Sequence, residues 1–349
     1  MVVSRAPPGL LYNVPGMPQS TKLGAAGPVV SSVGLGCMSM SGTYGRADRE
    51  ESIATIRAAL DAGVTLLDTG DFYGMGHNEL LIADALAGRT RDEVVISVKF
   101  GAQRGPDGSW LGYDARPAAV KTAAAYSLQR LKTDHIDIYR PARLDQQVPI
   151  EETVGAIAEL VQAGYVRHIG LSEVGPETIR RAAAVHAISD LQIEYSLISR
   201  GIEGAILPTC RELDIAITAY GVLSRGLISG HYHAGADGRS GDMRGRMPRF
   251  QGENLRRNLA LVEELRAVAD GQGATVAQMA IAWVRSRGED IVPLLGARRR
   301  EQLNEALGAL ELELSAEHLE RIERAIPSGA AAGDRYGAPQ MADLDSERG

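Results

Sequence analysis

The chain has 349 residues, 44% of them hydrophobic and 23% charged, with a formal net charge of −7 at pH 7, the balance of a soluble globular protein. Apart from Arg298, Arg299 and Arg300 it carries no basic tract, which argues against nucleic acid as a partner, and no apolar run reaches membrane-spanning length. Its two cysteines, Cys37 and Cys210, lie far apart without metal-ligand or redox spacing, which points to a reducing compartment and a cytoplasmic location.

Residues 1–16 lack the continuous apolar core of a signal peptide and read as a flexible extension, with Met17 a possible natural start. Residues 22–33, with Gly24, Gly27 and Pro28 between short apolar pieces, predict a hairpin leading into a strand over 33–37. Helix and strand then alternate. A helix over 48–62 is closed by Gly63 and followed by a strand over 64–67, and a helix over 79–87 is closed by Gly88 and followed by a strand over 93–98. Pro117 opens a helix whose Val120, Ala124, Ser127 and Leu131 trace one stripe, before a strand over 136–139. Pro149 and Ile150 begin the next helix, which Gly164 ends, and a strand follows over 166–171. The pattern continues with a helix over 176–187, a strand over 191–193, a helix over 201–213 and a strand over 215–220. Residues 221–254, rich in Gly, Arg and His, break the rhythm as a long loop of the kind that serves as a lid. Helices over 255–269 and 275–287, a strand over 291–295, a helix over 301–309 and a last helix capped by Ser315 complete the set.

Eight such βα units with short apolar strands predict an α/β fold, a closed (β/α)8 barrel with an N-terminal β-hairpin and a C-terminal extra helix. A doubly wound open sheet is the alternative, but no Gly-x-Gly-x-x-Gly joins a strand to a helix and no Walker lysine loop is present. The barrel is assigned to 17–326, and 327–349, rich in Ala, Gly and charge, reads as a flexible tail.

The stretch 64–74 concentrates the chemistry. Its strand ends in Asp68, Tyr73 lies in the turn beyond, and the strand over 93–98 runs into Lys99, so two strands bring a carboxylate, a phenol and an ammonium to one rim. These groups suit proton transfer to a carbonyl oxygen, because a phenol of pKa about 10 needs a neighbouring cation to become a ready acid. Ordinary rim ion pairs give the same pattern. In a barrel, Arg140, Ser172, Gln192 and Tyr220 converge on the same mouth as Asp68 and Lys99.

Several stretches resemble the aldo-keto reductases over roughly 22–326: Gly-Leu-Gly at 34–36, Leu-Asp-Thr at 67–69 with Tyr73 and Gly74, Lys99, Ser-Leu-Gln-Arg-Leu at 127–131, Asp-Ile-Tyr at 137–139, Pro-Ile-Glu-Glu-Thr at 149–153, Ile-Gly-Leu-Ser at 169–172, Gln192, and Gly-Ala-Arg at 296–298. The resemblance implies hydride transfer from NADPH to an aldehyde or ketone, a small-molecule carbonyl substrate, with Tyr73 as proton donor, Lys99 lowering its pKa and Asp68 as partner of Lys99. It also implies that Ser172 and Gln192 hold the nicotinamide carboxamide and that Tyr220 stacks on the ring. Gly221, Leu223 and Arg225 would pass the pyrophosphate, Gly296 and Arg298 would meet the 2′-phosphate, and Gln302 and Glu305 would lie at the adenosine end.

Two departures from the family pattern stand out. Ala142 takes the place of the family's catalytic histidine, and Glu173 that of an asparagine, so Glu173 must accept from the carboxamide or pair with a cation. Arg140 and Arg143 are the candidates to supply positive charge near the missing imidazole, ahead of His135 and His77, and Tyr44 and Trp110 are candidates to line the carbonyl pocket beside Ala142. An NADPH-binding sensor with little turnover, like potassium-channel β subunits, is the alternative function. No metal is expected, since the His-Tyr-His at 231–233 has no supporting carboxylate or cysteine pattern, and the assembly state is open.

Overall fold

The computed structural model describes residues 17–233 and 242–348, so the expected extension 1–16 and part of the long loop lie outside the described residues. The chain opens with an antiparallel hairpin of β1 (Ser20–Lys22) and β2 (Val29–Ser31). Strands β3 (Gly34–Gly36), β4 (Leu66–Gly70) and β5 (Val95–Phe100) follow, then a second antiparallel hairpin, β6 (Ala102–Arg104) and β7 (Trp110–Tyr113). Then come β8 (Ile136–Pro141), β9 (Val166–Ser172), β10 (Ile188–Glu194), β11 (Ala216–Tyr220) and β12 (Ile291–Leu295). Every strand except those of the two hairpins joins one closed parallel barrel, in which β12 pairs back onto β3. This is the (β/α)8 barrel expected from the alternation of elements.

The helices are α1 (Arg49–Asp61), α2 (His77–Leu86), α3 (Pro117–Leu131), α4 (Ile150–Gln162), α5 (Pro176–Val185), α6 (Ile206–Glu212), α7 (Gly252–Asp270), α8 (Val276–Arg285), α9 (Arg300–Leu307), α10 (Ala316–Ala325) and α11 (Ala338–Ala342). Their starts follow local chemistry. Asp48 accepts from the Glu51 amide ahead of α1, Pro117 and Pro176 occupy the first turns of α3 and α5, and Ser315 accepts from the His318 amide ahead of α10. The long loop contains short 3-10 turns at Ser224–Gly226, Met243–Arg246 and Pro248–Phe250.

Alternation along the strands sorts side chains into two environments. Leu67, Ile96, Val98, Tyr139, Ile169, Leu171, Leu191, Ile217 and Leu295 pack outward into the large core under the helices. Leu66, Ile138, Ala216, Val292 and Leu294 form a separate apolar cluster inside the barrel, joined by Leu23 and Val30 from the N-terminal hairpin, which closes that end. Above this apolar floor the inward positions turn polar, and the site begins there.

The tail after 326, expected to be flexible, makes contacts with the barrel in the structure. Residues 327–348 fold back over the barrel mouth, where Arg335 is 7% exposed and Tyr336 8%. The reason is a set of buried carboxylates at the mouth that the tail's arginine neutralises, a partnership invisible in the tail's own composition.

Candidate active site

The polar layer is built from the inward residues of consecutive strands. Asp68 on β4 accepts from Lys99 Nζ on β5 at 2.5 Å, from Ser97 Oγ at 3.2 Å and from Gln192 Nε2 on β10 at 2.6 Å. Asp68 and Lys99 are 4% and 3% exposed. Burial lowers the Lys99 pKa, with Arg140 and Arg143 adding to the effect while Asp68 opposes it. Tyr73 lies just beyond β4, with Lys99 Nζ 5.0 Å from its ring centroid. Burial pushes its phenol well above the ordinary value, the Asp68 carboxylate adds to the rise, and the Arg143 guanidinium opposes it. The structure thus brings together the three residues that sequence reasoning singled out, and adds Arg143 as the cation felt by the phenol.

Arg140 and Arg143, equivalent candidates in the sequence, part company here. Arg140 points down into the barrel with no solvent exposure, donating to Asp190 Oδ2 at 2.7 Å, to Asp190 Oδ1 at 3.2 Å and to Ser97 Oγ at 3.0 Å. Its placement in the substrate pocket is therefore corrected: strand alternation turns it beneath the site and Asp190 holds it there. Arg143 lies beyond the end of β8, where the chain no longer alternates. It donates to Ala142 O at 2.6 Å, Ser172 Oγ at 3.5 Å and Tyr336 Oη at 3.4 Å. Ala142 is 3% exposed and its amide donates to Phe100 O at 2.8 Å. His135 sits just before β8, at the far end of the barrel from this mouth, against Asp134 at 2.6 Å, and His77 starts α2 against Ser41 Oγ at 3.0 Å.

Glu173 follows β9 with a φ of 54°, a left-handed conformation that costs a residue with a Cβ on the order of 1 kcal/mol. Its carboxylate takes a bidentate pair from Arg335 at 2.9 and 2.6 Å, Tyr220 Oη at 2.7 Å, Ser346 Oγ at 2.7 Å and the Glu194 amide at 3.0 Å. Burial works against the charged form, but Arg335, helped by Arg143 and the Tyr220 hydroxyl, overrides it and holds the carboxyl far below the usual range. Of the two options left open for Glu173, pairing with a cation is the one realised. Tyr220 also meets Tyr336, hydroxyl to hydroxyl, at 2.9 Å.

Next to this group, Gly221 adopts a φ of 67° and a Cβ there would come within 3.1 Å of Glu194 Cγ. The turn that follows puts Ser224 and Arg225 at φ of 45° and 58°, with Leu223 between them and the glycine. Arg225 pairs with Glu194 Oε2 at 2.8 Å, and Ser224 Oγ is buried without a partner. At the end of the neighbouring strand Gly296 follows β12, Arg298 donates to the carbonyls of Tyr44 and Gly45 at 3.1 and 3.3 Å, and Gln302 accepts from the Arg298 amide at 3.2 Å. Glu305 meets His231 Nε2 at 3.0 Å. Burial lifts the half-buried Tyr44 phenol to about 12. Trp110 stands 45% exposed on β7, edge-on to Tyr113 and under the Arg104 guanidinium.

Sequence reasoning missed Arg335, Tyr336, Glu194, Arg249 and Tyr113. Glu194 was the most accessible of these, being an inward residue two positions past Gln192; it is fully surrounded by Arg225, Ser199 and, at 3.7 Å, Arg249. Among the described residues no group of three or more His, Cys, Asp or Glu side chains is placed to hold a metal ion, and no helix is long and apolar enough to cross a membrane.

Similarity to known proteins identifies the family of the chain. A sequence profile described as the aldo/keto reductase family matches residues 32–327. A probable aldo-keto reductase 1 of Glycine max is 42% identical over 321 residues, which span 91% of this chain and 92% of the relative. The solved structure of a glycerol dehydrogenase from Gluconobacter oxydans superposes with a TM-score of 0.78 at 29% identity, covering 85% of this chain and 92% of that one. An aldo-keto reductase of Klebsiella pneumoniae, solved in complex with NADPH, does so with a TM-score of 0.69 at 27% identity, covering 88% and 95%.

Proposed function

Because the chain belongs to the aldo/keto reductase family, a family of oxidoreductases, we propose that it reduces an aldehyde or ketone to the alcohol with NADPH, Tyr73 delivering the proton. The observation that carries the reading is the buried convergence of Asp68, Tyr73, Lys99 and Arg143 at the barrel mouth.

The residues around that cluster suit a dinucleotide phosphate. The donor set is made of hydroxyls and guanidinium groups, and the buried, unpartnered Ser224 Oγ sits in a tight left-handed turn where the chain approaches closely. Ser172 and Gln192 would hold the carboxamide, Tyr220 would stack on the nicotinamide, and Gly221, Leu223 and Arg225 would pass the pyrophosphate. Gly296 and Arg298 would meet the 2′-phosphate, with Gln302 and Glu305 toward the adenosine. NADPH, when bound, supplies the hydride.

Proton delivery is the work of the chain's own groups. The Tyr73 hydroxyl is protonated at rest; burial and Asp68 hold its pKa high, which opposes proton donation, and Arg143 works in the direction that makes it a readier acid. As the carbonyl oxygen gains charge, the Tyr73 Oη proton moves to it, and Lys99 and Arg143 stabilise the phenolate left behind. Asp68 keeps Lys99 charged against the burial that would discharge it. Arg143 compensates for Ala142, which offers no imidazole to the carbonyl oxygen. Tyr73→Phe is expected to lower NADPH oxidation against a panel of aldehydes and bulky ketones by roughly 10²–10⁴-fold while leaving NADPH binding nearly intact. Wild-type turnover in the variant would overturn the assignment of the acid, and tight NADPH binding with no oxidation by the wild type would favour a sensor.

A further inference from the structure

The two departures from the family pattern, Ala142 and Glu173, lie on neighbouring strand ends, and one segment of chain touches the surroundings of both. Glu173 binds Arg335 through two hydrogen bonds, and the next residue, Tyr336, places its hydroxyl 2.9 Å from Tyr220 Oη and 3.4 Å from Arg143 Nη2. The Arg225 guanidinium lies 4.5 Å from the Tyr336 ring centroid on one side, and that of Arg335 lies 5.5 Å away. More contacts hold the segment beyond it. Ser346 and Glu347 both bind Arg335, and Asp345 accepts from the Gly175 amide at 2.8 Å.

We propose that Glu173 is the latch of a C-terminal strap, closed by Arg335, and that the strap delivers Tyr336 as a positioning residue which holds Arg143 toward Tyr73. The carboxylate at 173 and the alanine at 142 are then linked. The position that lacks an imidazole is served by an arginine, and that arginine is steadied by a phenol which arrives only when the latch is closed. Energetics favour a closed latch. A carboxylate with no solvent exposure is costly to leave unpaired, and Arg335 is the group that meets it bidentately. The left-handed backbone at Glu173 fits the same account, since strain of this kind persists where surrounding contacts over-determine it. Arg143 by itself has hydrogen bonds only to a carbonyl at 2.6 Å and, at long range, to Ser172, so the Tyr336 hydroxyl supplies the contact on its other nitrogen.

The inference rests on Arg143 serving Tyr73 in carbonyl reduction, and its test separates that premise from the latch. The Arg335–Tyr336 peptide bond is a tryptic site, buried when the strap is closed. Limited trypsin digestion read by mass spectrometry therefore reports the latch without any turnover. In Glu173→Gln, cut at this bond is expected to be at least about tenfold faster than in the wild type, the loss of one charge-assisted pair. Glu347→Ala, which loosens Arg335 from the exposed side and leaves the barrel untouched, is expected to speed it as well. Tyr336→Phe is expected to keep the bond protected while lowering kcat about tenfold, with the KM for NADPH within about twofold. A segment of merely structural value would give normal kcat whenever the bond is protected. Wild-type cleavage rates in both latch variants would overturn the latch, and wild-type kcat in Tyr336→Phe would overturn the positioning role. Should the wild type itself reduce no carbonyl, the reductase reading fails and the cleavage rates still decide the latch.

Discussion

Asp71 shows how much a single side chain in the strand-to-helix turn is asked to tolerate. It stands between Gly70 and Tyr73, and its amide donates to Lys99 O at 2.9 Å, so it belongs to the backbone that sets the catalytic phenol. Burial raises its carboxyl to about 7, the nearby Glu79 adds to the rise, and Arg130 only partly offsets both. Its Oδ1 is sealed from solvent without a hydrogen-bond partner. A carboxyl with a raised folded-state pKa contributes stability that is full below its unfolded value and is lost as pH rises toward the folded one. The relevant window is therefore from about 4 to about 7. Asp71→Asn keeps the neutral shape at every pH. It is expected to melt with the wild type near pH 4 and to be more stable at pH 8 by on the order of 1–3 kcal/mol, once partial exposure of the carboxyl is allowed for. Thermal melts at the two pH values check this, and a difference that does not change with pH would show that Asp71 does not titrate there. Legibility at this scale follows the distance between partners. Asp68, Tyr73 and Lys99 were readable because each ends or follows a strand with a recognisable run, whereas Glu173 and Arg335 are partners 162 positions apart and nothing local to either announces the other. Arg140 and Arg143 differ by where β8 stops, a boundary that the sequence reading set at 139 and the structure at Pro141.

At the scale of elements, the helices start where side chains satisfy the first amides, and α8 is the best case. Thr275 accepts from the Gln278 amide at 3.2 Å while Gln278 Oε1 accepts from the Thr275 amide at 2.9 Å, a reciprocal box at the start of a helix with Met279, Ile281 and Trp283 fully buried. Gln278 also reaches Glu305 O at 3.1 Å, tying α8 to α9. Thr275→Ala is expected to cost about 1 kcal/mol and to lower the melting temperature by about 1–3 °C, with Thr275→Ser restoring most of it. Equal melting of the alanine variant and the wild type would show that the box is dispensable. Elements of this kind were legible, since Gly63, Pro117, Pro176 and Ser315 mark boundaries by local chemistry alone. The β6–β7 hairpin was not, because residues 102–113 lack an apolar alternation and its pairing is held by the hairpin itself, not by burial in the barrel. The strap with α11 was missed for the complementary reason: its low-complexity composition hides one arginine and one tyrosine that dock elsewhere.

At the scale of the whole molecule, the barrel is held by an ionic layer across its interior as well as by the apolar layers on either side of its wall. Arg140 on β8 bridges Asp190 on β10, Ser97 on β5 and, at 3.3 Å, Thr218 on β11, while Thr218 Oγ1 donates to Asp190 Oδ2 at 2.6 Å and Ser97 passes the connection to Asp68 on β4. Room for the guanidinium is made by Gly170 on β9, where a Cβ would come within 2.9 Å of Arg140 Cζ. Five strands thus share one set of buried charges lying directly under Lys99. Removing one partner of such a pair leaves the other charged and dry, so Asp190→Ala is expected to destabilise by about 3–5 kcal/mol, read as a lower urea midpoint. Replacing both, Arg140→Met with Asp190→Leu, removes the desolvation cost along with the attraction and is expected to be less destabilising than the single change. If the double variant recovers stability but loses Tyr73-dependent turnover, the charges serve the electrostatics of Lys99 above them, because Arg140 is among the groups that lower its pKa. If the double variant is the less stable of the two, the layer is instead needed to set the register of the strands, and the site inherits its geometry from the barrel's closure.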